Sequence, residues 1–145
     1  MKWTQTPIEG LFILEPTVHG DHRGFFLESY SKREFQARGL DLEFVQDNHS
    51  LSKEAGTLRG LHYQLEPMAQ TKLVRVLAGS IFDVAVDLRP GSHTYGRWFG
   101  LTLSAGNKKQ LLIPQGFAHG FLTLEADTQV AYKVDNYYSR EHDRG

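Results

Sequence analysis

The sequence predicts an all-β protein, a compact antiparallel jelly roll with one short helix near residues 31–38. Three observations predict it. Short runs of alternating apolar and polar residues recur along most of the chain, with Gly and Pro between them. Val, Ile, Leu, Phe and Tyr fill those runs, as suits a pleated, half-buried surface. One stretch alone carries a clear helix start, Ser31-Lys-Arg-Glu34, with Ser and Glu spaced as a capping box. No repeat, linker or low-complexity segment interrupts the pattern. A chain of 145 residues can enclose one core, so a single domain over 1–145 is expected.

The elements follow in order. FFLESY (25–30) reads as a strand with Phe26, Glu28 and Tyr30 on one face. The helix follows, from Ser31 through Phe35 to an end near Gly39. KLVRVLAG (72–79) puts Lys72, Val74 and Val76 on one face. SIFDVAVDL (80–88) sets Phe82, Val84, Val86 and Leu88 against Ile81, Asp83, Ala85 and Asp87. Between these two runs Ala78-Gly79-Ser80 reads as a hairpin turn, and Pro90-Gly91-Ser92 reads as another turn. WFGLTLS, QLLIP, HGFLTLE and QVAYKV continue the alternation, the last with Val130, Tyr132 and Val134 on one face.

Composition narrows the function. Net charge is −1, with 23% charged residues and no long run of one sign. Such a chain has no field to attract nucleic acid or an anionic membrane. It has no cysteine, which excludes disulfides, thiol catalysis and thiolate metal sites. The start, MKWTQTPIEGLFILEP, has no apolar stretch long enough for a signal peptide or a spanning helix. A soluble cytoplasmic protein is the expectation.

The polar residues inside these strands carry the chemistry. RGLHYQLEPMAQTKLVRVLAG holds His62, Gln64 and Lys72, and PQGFAHGF holds His119. Four polar groups aimed into one barrel are costly to bury without a ligand or a network. Their convergence points to a polar pocket. Tyr132 is a fifth candidate, since a neutral phenol can donate a proton. Arg23, Arg59 and Lys72 are cations within or at the ends of strands, and Arg forks suit phosphate. They suggest a diphosphate joined to something planar, for which Phe26, Tyr137 and Tyr138 could provide stacking. Strand alternation turns Arg59 away from His62 unless Gly60 makes a bulge.

Two of these motifs resemble those of the cupins. Pro114-x-Gly116-x-x-His119 has the form of the second cupin motif, and Gly60-Leu-His62-Tyr-Gln64 with Gly79 stands where the first would be. Gln64 replaces the second histidine of that motif, and the expected Glu is missing. Two imidazoles and an amide make a poor ligand set, and Lys72 would repel a cation. Neither a metal nor any other cofactor is expected.

The set HRGFFLE, VQDNHS, LRGLHYQ, QTKLVRV, IFDVAVDLR, PQGFAHGF and YKVDNYYS resembles, in order over nearly the whole chain, the dTDP-4-dehydrorhamnose 3,5-epimerase family. The resemblance implies a cupin-like double-stranded β-helix. It implies inversion of C3 and C5 in dTDP-4-dehydro-6-deoxy-D-glucose, giving dTDP-4-dehydro-L-rhamnose. His62 would be the base, Tyr132 the acid, and Lys72 the cation beside the sugar ketone. Arg23 and Arg59 would hold the nucleotide. Further substrate contacts fall on Glu28, Gln46, Asp47, Asn48 and His119. SREHDRG stands where the family shows SPEHERG, which puts an acidic contact on Asp143. A homodimer that exchanges N-terminal strands is implied as well. The family pattern continues beyond the position of Gly145, so this domain is expected to lack the family's C-terminal segment. The carboxylate that pairs with the catalytic histidine usually lies there, and Asp83 is the candidate substitute. Three other readings stay open: a metal-dependent cupin, a non-catalytic sugar-nucleotide binder and a related 5-epimerase.

These residue types suit the implied chemistry. A C4 ketone acidifies the C–H bonds at C3 and C5, and losing either proton gives an enolate. An imidazole, with a reference pKa of about 6.5, is a competent base near neutral pH. A lysine can stabilise the oxyanion, and a phenol can return the proton from the other face.

Overall fold

The alternating runs form strands, and those strands divide between two sheets. The structure is a computed structural model describing residues 1–145. In chain order its elements are β1 (Lys2–Gln5), β2 (Phe12–Glu15), β3 (Val18–Asp21), β4 (Gly24–Leu27), α1 (Lys32–Ala37), β5 (Gln46–Ser52) and β6 (Leu58–Gln64). Then come β7 (Lys72–Ala78), β8 (Ser80–Asp87), β9 (Trp98–Ser104), β10 (Gln110–Ile113), β11 (Phe117–Thr123), β12 (Thr128–Val134) and β13 (Asp143–Arg144). One sheet runs β1-β2-β10-β7-β12-β5 and the other β13-β6-β11-β8-β9. All pairings are antiparallel. This is the expected jelly roll.

The core lies between the sheets. Val74, Val76, Leu111 and Val130 come from the first sheet, and Ile81, Ala85, Leu103, Phe117 and Phe121 from the second. These are the inward positions of the alternation, so the pattern of period two dictates which side chains meet. A smaller cluster covers the outer face of the six-stranded sheet. There α1 buries Phe35 against Leu14, Leu73 and Leu112. Its ring meets Trp3 and Tyr30 edge-on. Burying that one side chain contributes about 2–3 kcal/mol. The helix begins as expected, with Ser31 as N-cap accepting from the Glu34 N–H. No helix is long and apolar enough to cross a membrane.

Two sequence expectations fail. Ala78-Gly79-Ser80 is not a hairpin turn, because β7 pairs with β10 and β12 while β8 pairs with β11 and β9. The chain changes sheets at Gly79, with φ at +79° and the backbone pressed against Thr128. Local composition cannot separate such a corner from a turn, since both need a glycine with positive φ. The strand through 25–30 is also shorter than expected. Strand β4 ends at Leu27 and pairs only with β3, as a separate hairpin that joins neither sheet. Phe25 and Phe26 on it are 62% and 68% exposed.

The bulge at Gly60 is present. From His119 to Phe121 β11 advances two residues, while its partner β6 advances three, from Arg59 to His62. The extra residue resets the alternation, so Arg59 and His62 face the same side. Gly60 takes φ +103°, and a Cβ there would stand 2.6 Å from the His119 carbonyl oxygen and 2.7 Å from the Gly120 Cα. Only glycine fits this contact between strands.

Candidate active site

A cavity of about 650 Å³ opens between the two sheets, and its walls include His62, Lys72, His119, Tyr132 and Arg59. The six-stranded sheet supplies Lys72 at the start of β7, Tyr132 in β12 and Asn48 in β5; the five-stranded sheet supplies His62 in β6 and His119 in β11. Register aligns them. His62 is the Cα partner of His119, and Tyr132 sits between Val74 and Asn48.

Lys72 lies at the buried end, 7% exposed. Burial pushes its ammonium down to about 8, while the charges of Asp83 and Asp143 pull it back up. Its Nζ stands 5.6 Å from the centre of the Tyr132 ring, in cation–π range. The cavity therefore holds a cation that is charged at neutral pH yet poorly solvated, so its field on a nearby oxyanion is strong.

His119 is also buried, and its Nε2–H donates to Asp83 Oδ1 at 2.6 Å. That bond sets the tautomer and orientation of the ring. The other oxygen, Asp83 Oδ2, is buried with no hydrogen-bond partner. An orphaned carboxylate oxygen is costly, and the nearby Lys72 charge offsets part of that cost. Sequence reasoning offered Asp83 as the partner of His62; the structure gives it to His119 instead. Both lie on inward positions of adjacent strands, with Asp83 opposite Phe121 and His119 opposite Ala85. His62 is not the buried residue that its strand suggested. It is exposed at the mouth, and its side chain makes no hydrogen bond to the protein.

Arg59 crosses the mouth. Its Nε donates to Ser52 Oγ at 3.0 Å and its Nη2 to the Leu51 carbonyl at 3.1 Å. No carboxylate neutralises it, so its charge is free for an anion. Tyr138 and Asp143 complete this side.

Several expected residues stand elsewhere. Arg23, Phe26 and Glu28 are not in the cavity wall. Arg23 pairs with Asp21 at 2.6 Å on the exposed hairpin. Asp47 faces the opposite side of its sheet and pairs with Lys133 at 3.0 Å. Gln46 is one step back from the cavity, donating to Asn48 Oδ1 at 2.8 Å. Gln64 does line the cavity, but its amide is occupied by backbone groups. The cavity also gains Ser50, whose hydroxyl is buried and unpaired. Its signal in the sequence was its place two residues after Asn48, on the same face of β5. No three His, Asp or Glu side chains are grouped to hold a metal ion.

The comparisons with known proteins agree with this geometry. The family model described as dTDP-4-dehydrorhamnose 3,5-epimerase matches residues 5–145. A dTDP-4-dehydrorhamnose 3,5-epimerase of Shigella flexneri is 55% identical over 146 aligned positions, covering 100% of this chain and 80% of the relative. The crystal structure of such an epimerase from Bacillus anthracis, with TDP and PPi bound, superposes with a TM-score of 0.97 at 55% identity, over 99% of this chain and 82% of that one. A dTDP-6-deoxy-D-glucose-3,5-epimerase from Legionella pneumophila, in complex with dTDP-4-keto-L-rhamnose, gives a TM-score of 0.92 at 52% identity, over 98% and 75%. A match this long, at this identity and on this fold, has one reading: the chain belongs to the dTDP-4-dehydrorhamnose 3,5-epimerase family.

Proposed function

We propose that this protein epimerises dTDP-4-dehydro-6-deoxy-D-glucose at C3 and C5, giving dTDP-4-dehydro-L-rhamnose. The observation that carries the reading is one cavity with an accessible imidazole, a buried ammonium and a phenol in its walls. His62 takes the proton from the carbon beside the ketone. The electrons of that C–H bond move to O4, and Lys72 stabilises the enolate. Tyr132 then gives its proton to the opposite face of the same carbon, which inverts it. Solvent restores both groups, so no redox partner is consumed. Arg59 meets the diphosphate, and Tyr138 stacks on the base. His119, held by Asp83, and Asn48 face the sugar.

The test is proton NMR of the keto-sugar nucleotide with the protein in heavy water. Deuterium should enter at C3 and C5 as the inverted product forms; a substrate that keeps both protons would sink the reading. Tyr132→Phe should still allow exchange while inversion slows by about 10²–10⁴-fold. Unchanged inversion would remove Tyr132 from the role of acid.

The proposed partner is a second copy of this chain. The outer face of the five-stranded sheet presents Phe82, Val84 and Val86 from β8, Trp98 and Gly100 from β9, and Leu122 from β11. None is charged, and Trp98 is 62% exposed. Broad apolar sheet faces of this kind mark protein interfaces. A copy related by twofold symmetry would meet the same apolar face. The hairpin residues Arg23, Phe26 and Glu28 lie outside this chain's own cavity, which supports their use across such an interface. Light scattering should give the mass of a dimer for the wild type and of a monomer for Val84→Glu. A dimeric Val84→Glu would exclude this face.

A further inference from the structure

The segment between β12 and β13 brings Tyr138 to the cavity mouth with little packing of its own. Tyr137 and Tyr138 are 61% and 59% exposed. Side-chain amides hold it in place. Gln64, at the end of β6, is 7% exposed. Its Nε2 donates to the carbonyls of Met68 at 2.7 Å and Tyr137 at 3.2 Å, and its Oε1 accepts from the Ser139 N–H at 2.8 Å. Gln46 Oε1 accepts from the Tyr138 N–H at 3.2 Å. Further back, Gln70 Nε2 donates to the Asn136 carbonyl at 2.9 Å, and Asn136 Nδ2 donates to the Ala69 carbonyl at 2.7 Å.

Gln64 thus binds the residue before Tyr138 and the residue after it. Both of its N–H groups and its carbonyl are already used, so it has no donor left for a ligand, although it lines the cavity. Its chemistry suits this task alone. A carboxylate of the same shape would push against two carbonyl oxygens, and an apolar side chain would leave three part-buried backbone groups without this partner.

We propose that Gln64 is a positioning residue. It fixes the Tyr138 ring as a rigid wall for the planar base of the nucleotide, and so sets nucleotide affinity and leaves the rate of proton transfer unaffected. This rests on the sugar-nucleotide reading above. A preordered wall saves the ordering cost that a mobile segment would incur on binding.

A double-mutant cycle tests it. Gln64→Glu and Gln64→Met are made in the wild type and in Tyr138→Ala. The Kd for dTDP is measured by calorimetry, and KM and kcat for the keto-sugar nucleotide by NMR. Each Gln64 variant should raise Kd and KM about tenfold, with kcat within about threefold. In Tyr138→Ala the same changes should add little, because the wall is already gone. Effects that multiply independently, or a fall in kcat with KM unchanged, would overturn the proposal. Should Gln64→Glu fail to fold by thermal melting, Gln64→Met carries the same cycle without added charge. A wild type that does not bind dTDP would overturn the sugar-nucleotide reading itself; a binding wild type with additive variants would overturn the clamp alone.

Discussion

Replacing His62 with alanine is expected to stop deuterium entering the substrate at C3 and C5. The other imidazole and the ammonium in the cavity wall are not free for that role. His119 has its Nε2 committed to Asp83, and Lys72 is charged at neutral pH. A positioned base contributes about 10²–10⁴-fold to such a step. The protein should otherwise be unharmed. The His62 side chain is exposed and makes no hydrogen bond to the protein, so its loss should change stability by no more than about 0.5 kcal/mol. An exchange-dead, normally melting His62→Ala protein is the expected result, read by NMR and by thermal denaturation. Exchange within about tenfold of the wild type would mean that another group is the base.

Lys72→Met should have the second largest effect, a fall of about 10²–10³-fold in kcat, because the enolate loses its cation. The pH dependence identifies the group. Burial lowers this ammonium from its ordinary value of 10.5 to about 8. Lys72 is therefore charged below about pH 8 and neutral above it. Wild-type kcat/KM should fall as pH rises through about 8, far below where a solvated lysine titrates. Stability should move the other way. Between about pH 8 and 10.5 the unfolded chain binds the proton that the folded one has lost, so stability rises with pH across that window. Below it, the buried charge costs the folded state about 3 kcal/mol. Lys72→Met should remove that cost and melt higher at pH 7 while losing activity. A variant that melts lower at pH 7, or wild-type activity that is flat from pH 7 to 9, would contradict the account.

Most of the cavity wall could be read from the residues because it lies on strands. Alternation placed Lys72, Val74 and Val76 on one face, and it placed Tyr132 with Val130 and Val134; both faces point inward in the structure. A glycine in a strand marked the bulge that turns Arg59 toward His62. What the pattern could not give was the pairing. Asp83 and His119 are 36 residues apart, and only the adjacency of β8 and β11 brings them to 2.6 Å. The same limit explains the error at Gly79, where a corner between sheets has the composition of a turn within one. It also explains Gln64. Its residue type suggested a pocket ligand, yet the loops around it take all of its hydrogen bonds.

The sequence alone determined which side of each strand faces inward, because neighbouring side chains must point to opposite faces of a pleated backbone. It also determined the short helix, through Ser31 and the residues that follow it. Only the tertiary structure decided which strands are neighbours, which carboxylate serves which imidazole, and that the hairpin carrying Arg23 stands away from the cavity. Those outcomes depend on contacts between residues far apart in the chain, where no local period carries information.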